Sequence, residues 1–240
     1  MLITTKAIVL RTVKYSDKAS AVTVFTSDYG RIGLVAYGIS GRKGSGKAAL
    51  LQPLSLVELT MSYHPGKELQ QLKELRSETN LAGISANPLK NAIALFIAEL
   101  LSKTLRQQEG EQDLFDFLHH ALEWLNESQE GIANFHIIFM YKLTRFLGFE
   151  PNTELRDARW FDLMNGCYSV NRPLHVHFVQ PELMPCFAAM SDCNFATLQH
   201  LRLSREQRNG LLNTLLEYYK LHLPEFHTLQ STAILRELFN

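Results

Sequence analysis

Over the first 78 residues, apolar and polar positions alternate in short runs separated by turn residues. KAIVLRTVKY (Lys6–Tyr15), SAVTVFTS (Ser20–Ser27) and IGLVAYGI (Ile32–Ile39) are rich in β-branched side chains, and DYGR (Asp28–Arg31) reads as a turn. SLVELTMSY (Ser55–Tyr63) sets Leu56, Glu58 and Thr60 against Val57, Leu59 and Met61, the alternation of a strand. HPGKE (His64–Glu68) is a tight hairpin turn, and LQQLKELRSE (Leu69–Glu78) returns from it as a strand, although its period also fits a helix. Five short strands with Gly and Pro turns predict a small closed sheet. A five-stranded OB-type barrel is its economical form.

From Asn87 the period lengthens. Asn87 as cap and Pro88 in the first turn start a helix, and Ile93, Phe96, Ile97, Leu100, Leu101 and Leu105 recur at helical spacing. Leu114–Leu125 and Ile132–Leu147 behave likewise, with Gly110, Gly131 and Gly148 as breaks. RWFDLMNGCYSV then carries an Asn165-Gly166 hairpin turn between two strand-like arms. Helices resume at Pro181, and Ser204 with Gln207 forms a capping box for Ser204–Leu223. The predicted class is α+β. A barrel domain (1–80) precedes a mostly helical domain (81–240) with a small β-hairpin insertion around 155–180.

Composition adds one asymmetry. The 240-residue chain has no net charge, yet residues 1–80 hold 11 basic and 6 acidic side chains, and the remainder 13 and 18. A basic barrel points to nucleic acid or a membrane surface. Three cysteines at unremarkable spacings make no disulfide framework and fit a reducing compartment. Lys6 and Arg11 leave too little apolar chain between them for a signal peptide, and the run Ala92–Leu101 is broken by Glu99. It falls short of the ~20 residues that a membrane span needs. The expectation is a soluble intracellular protein without membrane contact.

The candidate chemistry centres on GRKGSGKA. Gly41, Gly46 and Lys47 have the spacing of a phosphate-cradling nucleotide loop, but Ala48 replaces the magnesium-binding hydroxyl. Pro53 follows too soon for the long helix that such loops require. A bare solvated loop remains possible on these residues. The preferred reading places Arg42, Lys43 and Lys47 on a phosphodiester backbone, with the glycines allowing close approach. Lys6, Arg11, Lys14, Arg31 and Tyr37 complete the expected DNA-binding set on the barrel.

Elsewhere the residues read as structural. His175-x-His177 would share one face of a strand, but no third metal ligand is evident. His119-His120, Tyr218 and Tyr219 read as packing groups, and Lys142 and Arg145 as charges suited to a helix C-terminus. No catalytic motif is present, so no enzymatic activity and no cofactor are expected.

Several segments together resemble the RecO family of bacterial recombination-repair proteins. They are A-I-V-L-R at Ala7–Arg11, V-F-T-S-D-Y-G-R at Val24–Arg31, Y-G-I-S-G-R-K at Tyr37–Lys43 and L-Q-P-L-S-L-V-E-L at Leu51–Leu59. F-L-G-F-E-P-N at Phe146–Asn152 and the stretch Leu216–Ser231 extend the likeness to nearly the whole chain. The resemblance implies an OB-fold followed by helices, and a cytoplasmic, nucleoid-associated protein. It also implies binding of single- and double-stranded DNA, annealing of complementary strands, and, with RecR, loading of RecA onto DNA coated by single-strand binding protein. Family members grip the acidic, aromatic tail of that protein, for which Lys142 and Arg145 beside Phe135, Phe139, Leu143 and Phe146 would offer a basic rim and an apolar floor. Many members carry a four-cysteine zinc module after the L-G-x-x-P segment. Here Leu155–Tyr168 offers only Cys167, and six residues separate Cys186 from Cys193, so no bound metal is expected and hairpin packing takes its place. The alternatives are a structural adaptor that does not bind DNA, and a nucleotide hydrolase using Gly41–Lys47.

Overall fold

A computed structural model describes residues 1–39, 45–105 and 110–238. Alternation builds β1 (Leu2–Lys14), β2 (Ala19–Thr26) and β3 (Gly30–Tyr37), followed by the short α1 (Ser45–Leu50), β4 (Leu56–Ser62) and β5 (Leu69–Ser77). β1 begins four residues before the predicted start, because Ile3 alternates inward against Met61 of β4. The strands close in the order β1-β2-β3-β5-β4, with β4 returning to β1. This is the five-stranded barrel expected of an OB-fold. Its interior holds Ala7, Val9, Val22, Val24, Leu34, Val57, Leu59 and Met61. Leu51, just after α1, joins that core.

Closure decides the ambiguous segment Leu69–Ser77. It is a strand because β4 offers an antiparallel ladder and β3 a short parallel one, which override its helical period. Gly33 permits this closure. A Cβ there would lie 2.9 Å from the Glu68 carbonyl oxygen and 2.8 Å from Leu69 Cδ2. The stretch after Lys47, in which no helix was expected before Pro53, does hold one: the six-residue α1, ending where Leu50 and Leu51 reach the barrel core. Ala48 and Ala49 favour it locally.

Three helices follow: α2 (Ala82–Ala86), α3 (Pro88–Thr104) and α4 (Gln112–Glu127). Asn87 Oδ1 caps α3, accepting from Leu89 N at 2.9 Å and Lys90 N at 3.2 Å. These helices pack with the barrel, so that the first compact unit runs Met1–Glu127 and the second Ser128–Asn240. The change of sequence period near residue 80 and the change of compact unit therefore fall at different places.

In the second unit, α5 (Phe135–Phe146) is buried over most of its circumference. β6 (Trp160–Asp162) and β7 (Cys167–Ser169) form the hairpin, followed by α6 (Met184–Asp192), α7 (Arg205–His222) and α8 (Ser231–Leu238). Ser204 Oγ accepts from Gln207 N, and Gln207 Oε1 from Ser204 N, the reciprocal cap read from sequence. Tyr218 and Tyr219 are fully buried and donate to Phe149 O and Met140 O, both at 2.8 Å. The hairpin is held by rings: Phe161 lies 4.9 Å from Tyr168 and 4.6 Å from Phe187 between centroids. Asp162 Oδ1 closes its turn by accepting from Met164 N and Asn165 N.

His175 and His177 are not on a strand, contrary to the expected pairing on one face. They lie in irregular chain, where His175 meets Asp162 at 3.2 Å and His177 meets Glu217 at 2.6 Å. Each imidazole takes its own carboxylate because the chain bends between them. Among the described residues, no three His, Cys, Asp or Glu side chains gather to hold a metal, and no helix is long and apolar enough to cross a membrane.

Candidate nucleic-acid interface

The outer surface of β1, β2 and β3 is built by cross-strand rows. A bulge between Val9 and Arg11 resets the register, so Arg11 stands beside Thr23, Gly33 and Leu69 in one row. Val13, Ala21, Val35 and Gln71 form the next, and Tyr37 pairs with Ala19 beyond it. Small residues in the middle keep this sheet surface low, while Val13, Tyr37 and Leu69 remain exposed on it. At one end the helices cover it. Phe25 stacks on Phe115 of α4, with ring centroids 6.5 Å apart, and Arg31 donates to Ser102 O and Leu105 O at 3.0 and 3.1 Å. Among the described residues, none of the helices α2–α4 covers the Tyr37 end, where Tyr37 is exposed.

Exposed cations border this surface. Arg11 lies on β1, Lys14 and Lys18 flank the β1–β2 turn, and Lys67 lies in the β4–β5 turn. Lys14 Nζ meets Asp17 at 2.9 Å, a pair exposed enough to be worth little. The β4–β5 turn is preset. Gln70, 4% exposed, accepts from His64 N at 2.8 Å and donates to His64 O at 3.0 Å and Lys67 O at 2.9 Å. Gly66 supplies the left-handed residue, with φ +83°. Between this turn and the sheet lies an open groove of about 310 Å³, lined by Val35, Tyr37, Ser62, His64, Lys67 and Gln71 among others.

The opposite surface, on β4 and β5, is charge-matched. Lys6 pairs across the ladder with Glu58, which pairs in turn with Arg76. Lys6 Nζ lies 2.5 Å from Glu78, whose hydrogen bond and charge raise the lysine pKa, and Arg76 lies 3.5 Å from Glu74.

The sequence-derived set therefore divides. Arg11 and Tyr37 lie on the outer surface, and Lys14 is exposed at the end of β1. Lys6 belongs to the matched surface, and Arg31 holds the C-terminal end of α3. Lys47 is exposed on α1, and Arg42 and Lys43 lie outside the described residues. Lys18, His64, Lys67 and Gln70 were missed as candidates. HPGK was legible as a turn, but only the closed barrel makes it line one groove with Tyr37.

In the second unit Lys142 is half-buried. Its Nζ donates to Ser191 O at 2.8 Å and lies 5.6 Å from the Tyr141 ring centroid, and burial pushes its pKa down. Arg145 is exposed. The apolar floor expected beside them is closed, because Phe135, Phe139 and Leu143 are fully buried in the core and Phe146 is half-buried. A helix buried nearly all round has no free apolar stripe.

Two family models match the chain: Recombination protein O N terminal over residues 1–80, and Recombination protein O C terminal over residues 85–231. The chain belongs to the RecO family. Curated relatives named DNA repair protein RecO are similar end to end. Those from Phocaeicola vulgatus, Bacteroides fragilis and Azobacteroides pseudotrichonymphae are 37%, 36% and 33% identical, each over 100% of both chains. The N-terminal RecO model spans β1–β5, and with them the open basic surface and its groove.

Proposed function

We propose that this protein is a non-catalytic DNA repair and recombination mediator. It binds single- and double-stranded DNA through the outer surface of β1–β3 and the β4–β5 turn, with Arg11, Lys14, Lys18 and Lys67 on the phosphates of either and Tyr37 facing single strands. The observation that carries this reading is the placement of charge on an OB-type barrel: open cations beside a groove lined by Tyr37, with Lys6 tied to the largely buried Glu78 elsewhere on the barrel. The strand 2–3 surface and the loops joining strands 1–2 and 4–5 are where OB-folds hold oligonucleotides. Phosphates neutralised on such a surface allow two strands to approach one another, the physical requirement for annealing. With RecR, the protein then helps load RecA onto DNA coated by single-strand binding protein, the role that the resemblance to the RecO family implies.

The test is the salt dependence of single-strand affinity. Replacing Lys14, Lys18 and Lys67 together by Ala should flatten the slope of log K against log salt by roughly two units, at ~0.7 per lost phosphate contact. An unchanged slope in a folded variant would reject the surface.

The acidic tail of single-strand binding protein we assign to the neighbourhood of Lys142 and Arg145 on charge alone, with Arg145 the exposed cation and, among the described residues, no apolar floor beside it. Arg145→Glu should weaken binding of the tail peptide several-fold while leaving naked-DNA affinity intact. Unaltered peptide affinity places the tail elsewhere. The nucleotide-hydrolase alternative gains no support, since α1 has six residues and Ala48 brings no hydroxyl.

A further inference from the structure

We infer that the groove between β3, β5 and the β4–β5 turn is a subsite for one unpaired nucleobase, stacked on Tyr37, with its adjoining phosphate on Lys67. This deepens the proposed DNA-binding role and rests on it.

Tyr37 is 57% exposed at the end of β3, and among the described residues no aromatic ring packs on it. Tyr29, by contrast, packs against Tyr63, with centroids 5.2 Å apart. An open phenol ring on a β-surface is the stacking platform of single-strand binders. Val35 and Leu69 supply an apolar floor. Ser62 and Gln71 bring a hydroxyl and an amide, which donate and accept and so tolerate any base edge. About 310 Å³ is the small end of the ~300–1,000 Å³ range of ligand pockets, a volume for one ring system rather than a stacked run. Lys67 is the cation at the rim, and the three hydrogen bonds of Gln70 hold its turn in place before any ligand arrives. Preorganisation of that kind lowers the ordering cost of binding.

The chemistry selects strand type. A base within a duplex has both faces covered by its neighbours, so only an unpaired base can stack on Tyr37. The phosphate-binding cations make no such distinction.

The experiment measures affinity of the full chain for three oligomers of equal length: a single strand, a duplex, and an abasic phosphodiester strand. Tyr37→Ala should weaken single-strand binding by about tenfold, within the range for one stacked base. Duplex and abasic affinities should change less than about twofold, and Tyr37→Trp should retain single-strand binding. A 2-aminopurine base in the single strand should be quenched on binding wild type and less quenched by Tyr37→Ala. Equal losses on all three oligomers, or no loss on the single strand, overturn the subsite. The two levels separate cleanly. A lysine triple variant with an unmoved salt slope rejects the barrel surface itself. A moved slope with an indifferent Tyr37→Ala rejects the base pocket alone.

Discussion

The open barrel surface and the interior of the second unit use the same side chains in opposite ways. Arg11, Lys14, Lys18 and Lys67 extend from the barrel into solvent. In the second unit, Lys142 donates to Ser191 O, and Arg208 donates to Asn134 Oδ1 at 2.9 Å and Leu203 O at 3.3 Å. Lys6 and Arg31 belong with this second group although they sit on the barrel. What separates the groups is the set of acceptors within reach. A cation held by a largely buried carboxylate or by helix-end carbonyls becomes part of the fold, and one without such acceptors remains available to a ligand. Stability and DNA affinity should therefore respond to different residues.

The largest expected effect tests the interior half. His136 is fully buried, and burial together with the Arg208 charge lowers its pKa from 6.5 to about 3. The fold thus favours the neutral ring, whereas the unfolded chain binds a proton below pH 6.5. The stabilisation tied to this histidine is complete above pH 6.5 and declines as pH falls towards 3, by about 1.4 kcal/mol per pH unit. Urea denaturation at stepped pH should show His136→Phe losing less stability on acidification than wild type. Parallel curves would remove His136 from the acid response.

A smaller effect contrasts two arginines and a lysine of the barrel. Arg31→Ala deletes two charge-assisted hydrogen bonds at the end of α3 and should cost about 1–3 kcal/mol in stability, with the salt slope of DNA binding unchanged. Arg11→Ala should do the reverse: a slope lower by ~0.7, and stability within about 0.5 kcal/mol of wild type. Lys6→Ala, already matched to Glu78, should leave the slope alone. If Lys6→Ala flattened the slope as much as Arg11→Ala, the division of the barrel into two surfaces would fail.

Much of this was legible in the chain. Alternation in Lys6–Ile39 and Ser55–Tyr63 specified strands, because a half-buried strand imposes a two-residue period on side chains. Asn87-Pro88 and Ser204 with Gln207 marked helix starts, because their side chains answer local backbone N–H groups. The resemblance to the RecO family, carried by short segments from Ala7 to Ser231, likewise needed no coordinates. These are local facts, read within a few residues.

Tertiary structure alone decided which cations face a ligand. Lys6 and Arg11 are indistinguishable by composition, and only the bulge after Val9 and the position of Glu78 set them on different surfaces. Arg31 followed a turn like any exposed arginine until α3 ended against it. His64 and Lys67 line one groove with Tyr37 only because β5, far away in sequence, closes the barrel against Gly33–Val35 of β3. Periodicity reports which side of an element is buried. It cannot report what the other side meets, since that depends on strand order, and strand order is set by closing the sheet around a common core.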